Sequence, residues 1–234
     1  MTVPGRDKDV EPEPGKAVRL FLCGDVMLGR GVDQVLAHPS DPTLHEAFVH
    51  SALDYVHLAE AANGATPRAV APDYVWGDAL TELDRAKPQA RIINLETSVT
   101  KSDAYFPKGI NYRMNPENVG VLSPALIDCC VLANNHVLDF GREGLIETIE
   151  TLHRAGLRTA GAGRDASEAA APAVIDLPDA GRVLIFAFGH VRSARRMNFP
   201  LSATPAYRSP AISFRRSQCS RSFPSGRPSC CHSA

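Results

Sequence analysis

A chain of 234 residues has room for one domain of ordinary size, and 44% hydrophobic with 22% charged side chains is the balance of a soluble globular protein with a packed core. The formal net charge of -1 gives no reason to invoke nucleic acid or a membrane surface. That balance hides an asymmetry: residues 191–234 carry eight Arg and no Lys, Asp or Glu, which leaves 17 basic against 26 acidic residues in 1–190.

The first 17 residues, MTVPGRDKDVEPEPGKA, are polar and Pro-rich with no apolar core of a signal peptide, and they read as a disordered lead-in. No apolar stretch is long enough to span a bilayer, so the cytoplasm is the expected compartment. Of six Cys, three lie in 18–190. Cys23 and the Cys129-Cys130 pair sit in apolar runs and read as buried small hydrophobes of a reducing compartment.

Residues 18–23, VRLFLC, predict a buried strand that Gly24-Asp25 ends, with a helix following through about Asp33 to Ala37. Residues 38–73 are Ala- and His-rich and read as helical pieces or an insertion. From Asp78 to Lys87, apolar residues at helical spacing (Ala79, Leu80, Leu83, Ala86) predict a helix closed by Pro88. ARIIN then predicts a second strand ending at Asn94-Leu95-Glu96. Residues 101–120 read as loop, and ALIDCCVLA as a third strand ending at Asn134-Asn135-His136. Gly144 to Ala155 places Leu145, Ile149 and Leu152 on one helix face. LRTAGAG predicts a short fourth strand, and 172–177 and 182–188 predict two more. The strand-helix rhythm over 18–188 indicates an α/β or layered α+β fold.

Three of these strands end in chemistry-bearing residues. Ligand sites of open α/β sheets lie outside the carboxyl ends of the strands. If the three strands are parallel neighbours, Asp25, Glu96, Asn135 and His136 converge there, and their oxygens and nitrogen make a plausible shell for Mn, Fe, Zn or Mg. Taken singly, each has a plainer reading: Gly-Asp as a turn, Asn-Asn-His as the cap of the next helix. Lys108 and Arg113 read as solvated loop charges, and His38, His45, His50, His57 and His153 as surface residues. Gly161-Ala162-Gly163 is too short for a nucleotide phosphate loop and lacks its Lys.

The blocks GDVMLGRG (24–31), INLETSVT (93–100), LANNHVLDFGREGL (132–145) and AGLRTAGAG (155–163) resemble the signature blocks of the CapA capsule-synthesis family, relatives of the calcineurin-like metallophosphoesterases. The resemblance covers roughly 18–190 and is most specific in Asn-Asn-His-x-x-Asp-x-Gly. It implies a metallophosphoesterase-like sandwich of sheets flanked by helices, with a site for two divalent ions. Asp25, Glu96 and Asn135 would be metal ligands, and His136 the acid that protonates a leaving alkoxide. It implies work in capsule or poly-γ-glutamate synthesis, either as a metal-dependent hydrolase of phosphate-ester type or as a non-catalytic assembly or binding subunit. The partner would be capsule polymer or a phosphorylated small molecule, with no nucleic acid. The second-half Gly-His-x-His-type block of that family is missing. Residues 191–234 read as a disordered or frameshifted tail, so the expectation is a truncated chain of impaired activity. His190, alone at a strand end, reads as a loop residue, and Cys230-Cys231-His232 lacks the spacing of a zinc knuckle.

Overall fold

A computed structural model describes residues 17–178 and 180–189. The readings made for residues 1–16, for His190 and for the Arg-rich tail lie outside the described residues.

The elements run β1 (Leu20–Val26), α1 (Gly31–Val35), α2 (Ala52–Asn63), α3 (Ala79–Ala86), β2 (Ala90–Leu95), β3 (Ser98–Val99), β4 (Arg113–Met114), β5 (Cys129–Val131), α4 (Gly141–Arg154), β6 (Arg158–Ala160), α5 (Ala166–Ala170), β7 (Ala173–Leu177) and β8 (Gly181–Ile185). Four strands form a parallel sheet in the order β1-β2-β5-β6, β3 and β4 form a small parallel pair, and β7 and β8 form an antiparallel hairpin. The fold is thus mixed α/β with a parallel sheet and flanking helices, consistent with the metallophosphoesterase-like class. The three strands that the sequence marks as site-bearing are neighbours, with β2 between β1 and β5.

Alternation along these strands sends side chains to two separate cores. Ile93 and Cys130 face a large cluster with Leu83 of α3, Leu145, Ile149 and Leu152 of α4, and Val121 and Leu122 of the 3-10 turn at Pro116–Leu122. Ala90, Ile92, Cys129 and Ala160 face the other way, onto Ala173, Ile175, Leu177 and Ile185 of the hairpin. Burying Leu145, Ile149 and Leu152 stabilises the fold by roughly 1.5–3 kcal/mol each. Trp76 packs against the large cluster and donates its indole N–H to the Val121 carbonyl at 2.7 Å.

Two details differ from the sequence reading, and a third fills in the 38–73 segment. The third strand is only Cys129–Val131, because Leu126 takes a positive φ of 48° and breaks the run. Helix α4 starts at Gly141, with Phe140 rather than Asn134 or Asn135 at its cap. In the 38–73 segment, α2 is capped by Ser51, whose hydroxyl accepts from Leu53 N–H at 3.3 Å. The Gly-rich exit of β6 is structural: Gly161 sits at φ 88°, and a Cβ there would meet those of Ala133 and Ala187 at 2.6 and 2.8 Å.

Candidate functional site

The pairing of β1 with β2 carries the first device. Cys23 lies opposite Ile93 and Val26 opposite Leu95, so Gly24 and Asp25 together face the single residue Asn94. This bulge re-aims a side chain at the strand end. Asp25 bears its strain, with a φ of 45° that L residues adopt reluctantly. Asn94, the residue opposite, donates to Asp25 Oδ1 at 2.5 Å. Its own Oδ1 accepts from Asn134 Nδ2 at 3.0 Å, which also donates to the Leu95 carbonyl at 2.9 Å. Strands β1, β2 and β5 are therefore laced at their carboxyl ends by an amide bridge.

Glu96 follows β2, with its N–H on the Val26 carbonyl at 3.0 Å. Its carboxyl is pushed above the ordinary range first by burial and then by the negative charge of Asp25 beside it. His136 Nε2 lies 3.6 Å from Glu96 Oε1. The His136 ring is buried at 6% exposure and held from three sides. Nδ1 is 2.6 Å from Asp139 Oδ2, the Tyr112 ring stacks on it at 3.9 Å, and the backbone N–H bonds Asn134 Oδ1 at 3.0 Å.

Behind the ring stands a buried charge network. Lys108 forms an ion pair with Asp139, with side chains 3% and 0% exposed. Its Nζ also donates to the Asn135 carbonyl at 2.7 Å. The reading of Lys108 as a solvated loop charge is overturned, and burial pushes its ammonium pKa down against the pull of Asp139. Arg113 is likewise not a free loop charge. It pairs with Asp103 at 2.7 Å and lies over the Phe140 ring at 5.0 Å. A second buried pair, Arg30 with Glu46 at 2.6 Å, sits between the Tyr55 and Tyr112 rings, each 4.8 Å from the guanidinium. Tyr55 O–H donates to Glu46 at 2.8 Å.

The parallel sheet thus brings Asp25, Glu96 and His136 to one sheet end, with half-buried Asn135 next in chain to His136. His45, His50 and His57 are exposed, as the sequence suggests. The sequence marks Asn94 and Asn134 only as strand-end residues and Lys108 only as a loop charge, and it passes over Asp139, although Asp139 is the acid of the Asn-Asn-His-x-x-Asp block itself. The donor chemistry of Asp25 and Glu96, two neighbouring carboxylates with the Glu96 carboxyl raised by burial and then by the charge of Asp25, suits a hard divalent ion. The fit covers only part of a shell: among the described residues no group of three or more His, Cys, Asp or Glu side chains is placed to hold a metal. Among them, too, no helix is long and apolar enough to cross a membrane.

Comparison with known proteins places the chain in a family. The family model described as "Bacterial capsule synthesis protein PGA_cap" matches residues 19–218, running past residue 190. Two proteins of Mycobacterium tuberculosis, from strains CDC 1551 / Oshkosh and ATCC 25618 / H37Rv, are each described as "Probable polyglutamine synthesis accessory protein". Each is 43% identical over 169 residues, covering 72% of this chain and 44% of the relative. The match therefore spans less than half the length of these relatives.

Proposed function

Because the chain belongs to the bacterial capsule synthesis protein PGA_cap family, we propose that it serves the production of a capsule or polyglutamate-type polymer as a metal-dependent hydrolase of phosphate-ester type. The observation that carries this reading is the convergence of Asp25, Glu96 and a buried, oriented His136 at the carboxyl end of β1, β2 and β5. Asp25, Glu96 and Asn135 would hold the ion or ions, of the Mn, Fe, Zn or Mg kind. When bound, such ions polarise phosphoryl oxygens and activate water.

The remaining work falls to the chain itself. Asn94 keeps the Asp25 carboxylate turned toward the sheet end through its 2.5 Å bond. Asp139 takes the Nδ1–H of His136, which leaves Nε2 on the Glu96 side as the atom that, in the doubly protonated ring, gives its proton to the departing oxygen and is bare afterwards. The Tyr112 ring covers one face of the imidazole and keeps water off it.

The test is direct. Purified protein, stripped with chelator and titrated with Mn2+ by calorimetry, is expected to bind the ion and to hydrolyse an aryl phosphate. Asp25→Asn and Glu96→Gln are expected to weaken binding, and His136→Asn to lower kcat with binding retained. Absence of Mn2+ binding in folded protein would overturn the reading. A second reading, a non-catalytic polymer-binding subunit, is favoured by the word "accessory" in the relatives' descriptions. Polymer binding indifferent to chelator would support it.

A further inference from the structure

Lys108 lies on the loop between β3 and β4, far from His136 in sequence, yet its ammonium lies beside that ring. Its side chain is 3% exposed. An ammonium group has three N–H donors and no acceptor. One donor goes to the Asn135 carbonyl at 2.7 Å, Nζ forms an ion pair with Asp139 Oδ1, and Nζ lies 3.2 Å from His136 Nδ1. The other Asp139 oxygen, Oδ2, meets His136 Nδ1 at 2.6 Å and accepts the Tyr112 N–H at 2.7 Å. The Asp139 carbonyl in turn accepts from Phe106 N–H at 2.7 Å and Asn111 Nδ2 at 3.1 Å. The loop at 106–112 is thus folded onto Asp139, and Lys108 is its charged anchor.

We infer that Lys108 is a positioning residue: it pins Asp139 and the Asn135 carbonyl so that the neutral imidazole of His136 keeps its proton on Nδ1 and turns the Nε2 lone pair toward Glu96. Nδ1 has two neighbours, a carboxylate oxygen and an ammonium, and only the carboxylate can accept. The shorter of the two contacts, 2.6 against 3.2 Å, is the one to the carboxylate. An Asp139 without its cation would be a buried charge lacking compensation, and it would turn toward solvent or take other donors. A lysine serving packing alone would need neither the Asn135 carbonyl nor a place beside the ring. The inference rests on His136 being the working group of the proposed hydrolase. Its test is separate, because it reads the ring in metal-free protein and not turnover.

The experiment is a long-range proton–nitrogen NMR correlation on histidine-labelled, metal-free full chain at pH about 8.5, above the ordinary histidine range of about 6.5. The His136 signals are assigned by their loss in His136→Gln. Wild type is expected to show one tautomer, with Nδ1 protonated and Nε2 bare. Lys108→Met is expected to give a second set of His136 ring signals from the opposite tautomer, and Lys108→Arg to restore the single set. Lys108→Gln keeps an N–H donor for the Asn135 carbonyl while removing the charge. It is expected to give the same second set and serves where Lys108→Met does not fold. A wild-type ring protonated on Nε2, or a folded Lys108→Met or Lys108→Gln protein with unchanged ring signals, would overturn the assignment. If turnover is never detected but the tautomer responds as described, the positioning role stands and the hydrolase reading falls.

Discussion

At the scale of single residues, Asn94 is the most economical place to disturb the candidate site without touching a proposed ligand. Its amide donates to Asp25 at 2.5 Å and accepts from Asn134 at 3.0 Å. Asp25 is held at a left-handed φ on a bulge, so it has few other means of staying put. Asn94→Ala removes both bonds. Each bond of this kind contributes about 0.5–1.5 kcal/mol, so the midpoint of urea unfolding should fall by the equivalent of about 1–3 kcal/mol. Residues that orient metal ligands typically change affinity roughly 10–100-fold when lost. Mn2+ affinity, measured by calorimetry, should weaken in that range. A variant that loses stability but keeps full affinity would mean that Asn94 only fastens the strands.

The same residue scale shows why the site was only partly legible in the sequence. Asp25, Glu96 and His136 stand out because each ends a run of apolar residues, and the strand pattern supplies the neighbourhood. Asn94 opens the Asn94-Leu95-Glu96 strand end, where the carboxylate two residues on is the more obvious ligand; only the bulge opposite Asn94 reveals its role. Lys108 reads as a solvated loop charge. A charged residue between Pro107 and Gly109 has the text of an exposed turn, and its burial depends on the 101–111 loop folding over Asp139, a contact 31 residues away in sequence.

At the scale of elements, α1 and α2 are tied to the site by the Arg30–Glu46 pair. Arg30 lies within the first signature block, and its side chain is 14% exposed, while Glu46, on the loop before α2, is 1% exposed. The guanidinium fills the space between Tyr55 and Tyr112, and Tyr112 covers His136. Removing one partner of a buried pair leaves the other charge uncompensated, at a cost of about 3–5 kcal/mol. Glu46→Ala should therefore lower the unfolding free energy by that amount in urea titration. Arg30→Met with Glu46→Leu should recover most of it, because apolar replacement of both partners relieves the buried charge. Failure of the double variant to recover would assign the loss to packing around the tyrosines instead. Helices such as α4 were readable because their apolar period is local. The segment between α1 and α3 was not, because what orders it is an ion pair across 16 residues rather than a periodic face.

Strand β5 offers a chemical check at the same scale. Cys129 and Cys130 are fully buried and occupy opposite faces of the sheet, one in each core. Burial pushes the Cys129 thiol up to about 11 and raises Cys130 as well. At pH 8 a thiol with that value is thiolate in roughly one molecule in a thousand, and the thiolate is the reactive form. Peptide-level mass spectrometry after brief iodoacetamide treatment should find both unmodified in native protein and both modified in urea. Rapid native labelling of either would show that β5 opens readily.

At the scale of the whole molecule, the two faces of the parallel sheet are covered unequally. The helical side is closed. On the other side the hairpin shields Ala90, Ile92, Cys129 and Ala160, whereas Leu20 and Leu22, paired with Ala90 and Ile92 in register, are 40% and 68% exposed. On β8 and just past it, Leu184, Phe186 and Phe188 are 55%, 53% and 48% exposed, and the two Phe rings stack at 6.5 Å. Alternation explains the stripe: Ile185 and Ala187 pack inward, so the residues between them must point out. Apolar stripes of this kind favour self-association. Because they contribute little to the core, polar replacement should change stability by no more than about 0.5 kcal/mol. Leu184→Thr with Phe186→Thr and Phe188→Ser is therefore expected to leave the unfolding midpoint in place. It should also lower the apparent mass seen by light scattering at high protein concentration. Loss of cooperative unfolding in this triple variant would show instead that the stripe belongs to the folded core, and that the second face of the sheet is held together by more than the residues of β7 and β8 that point inward.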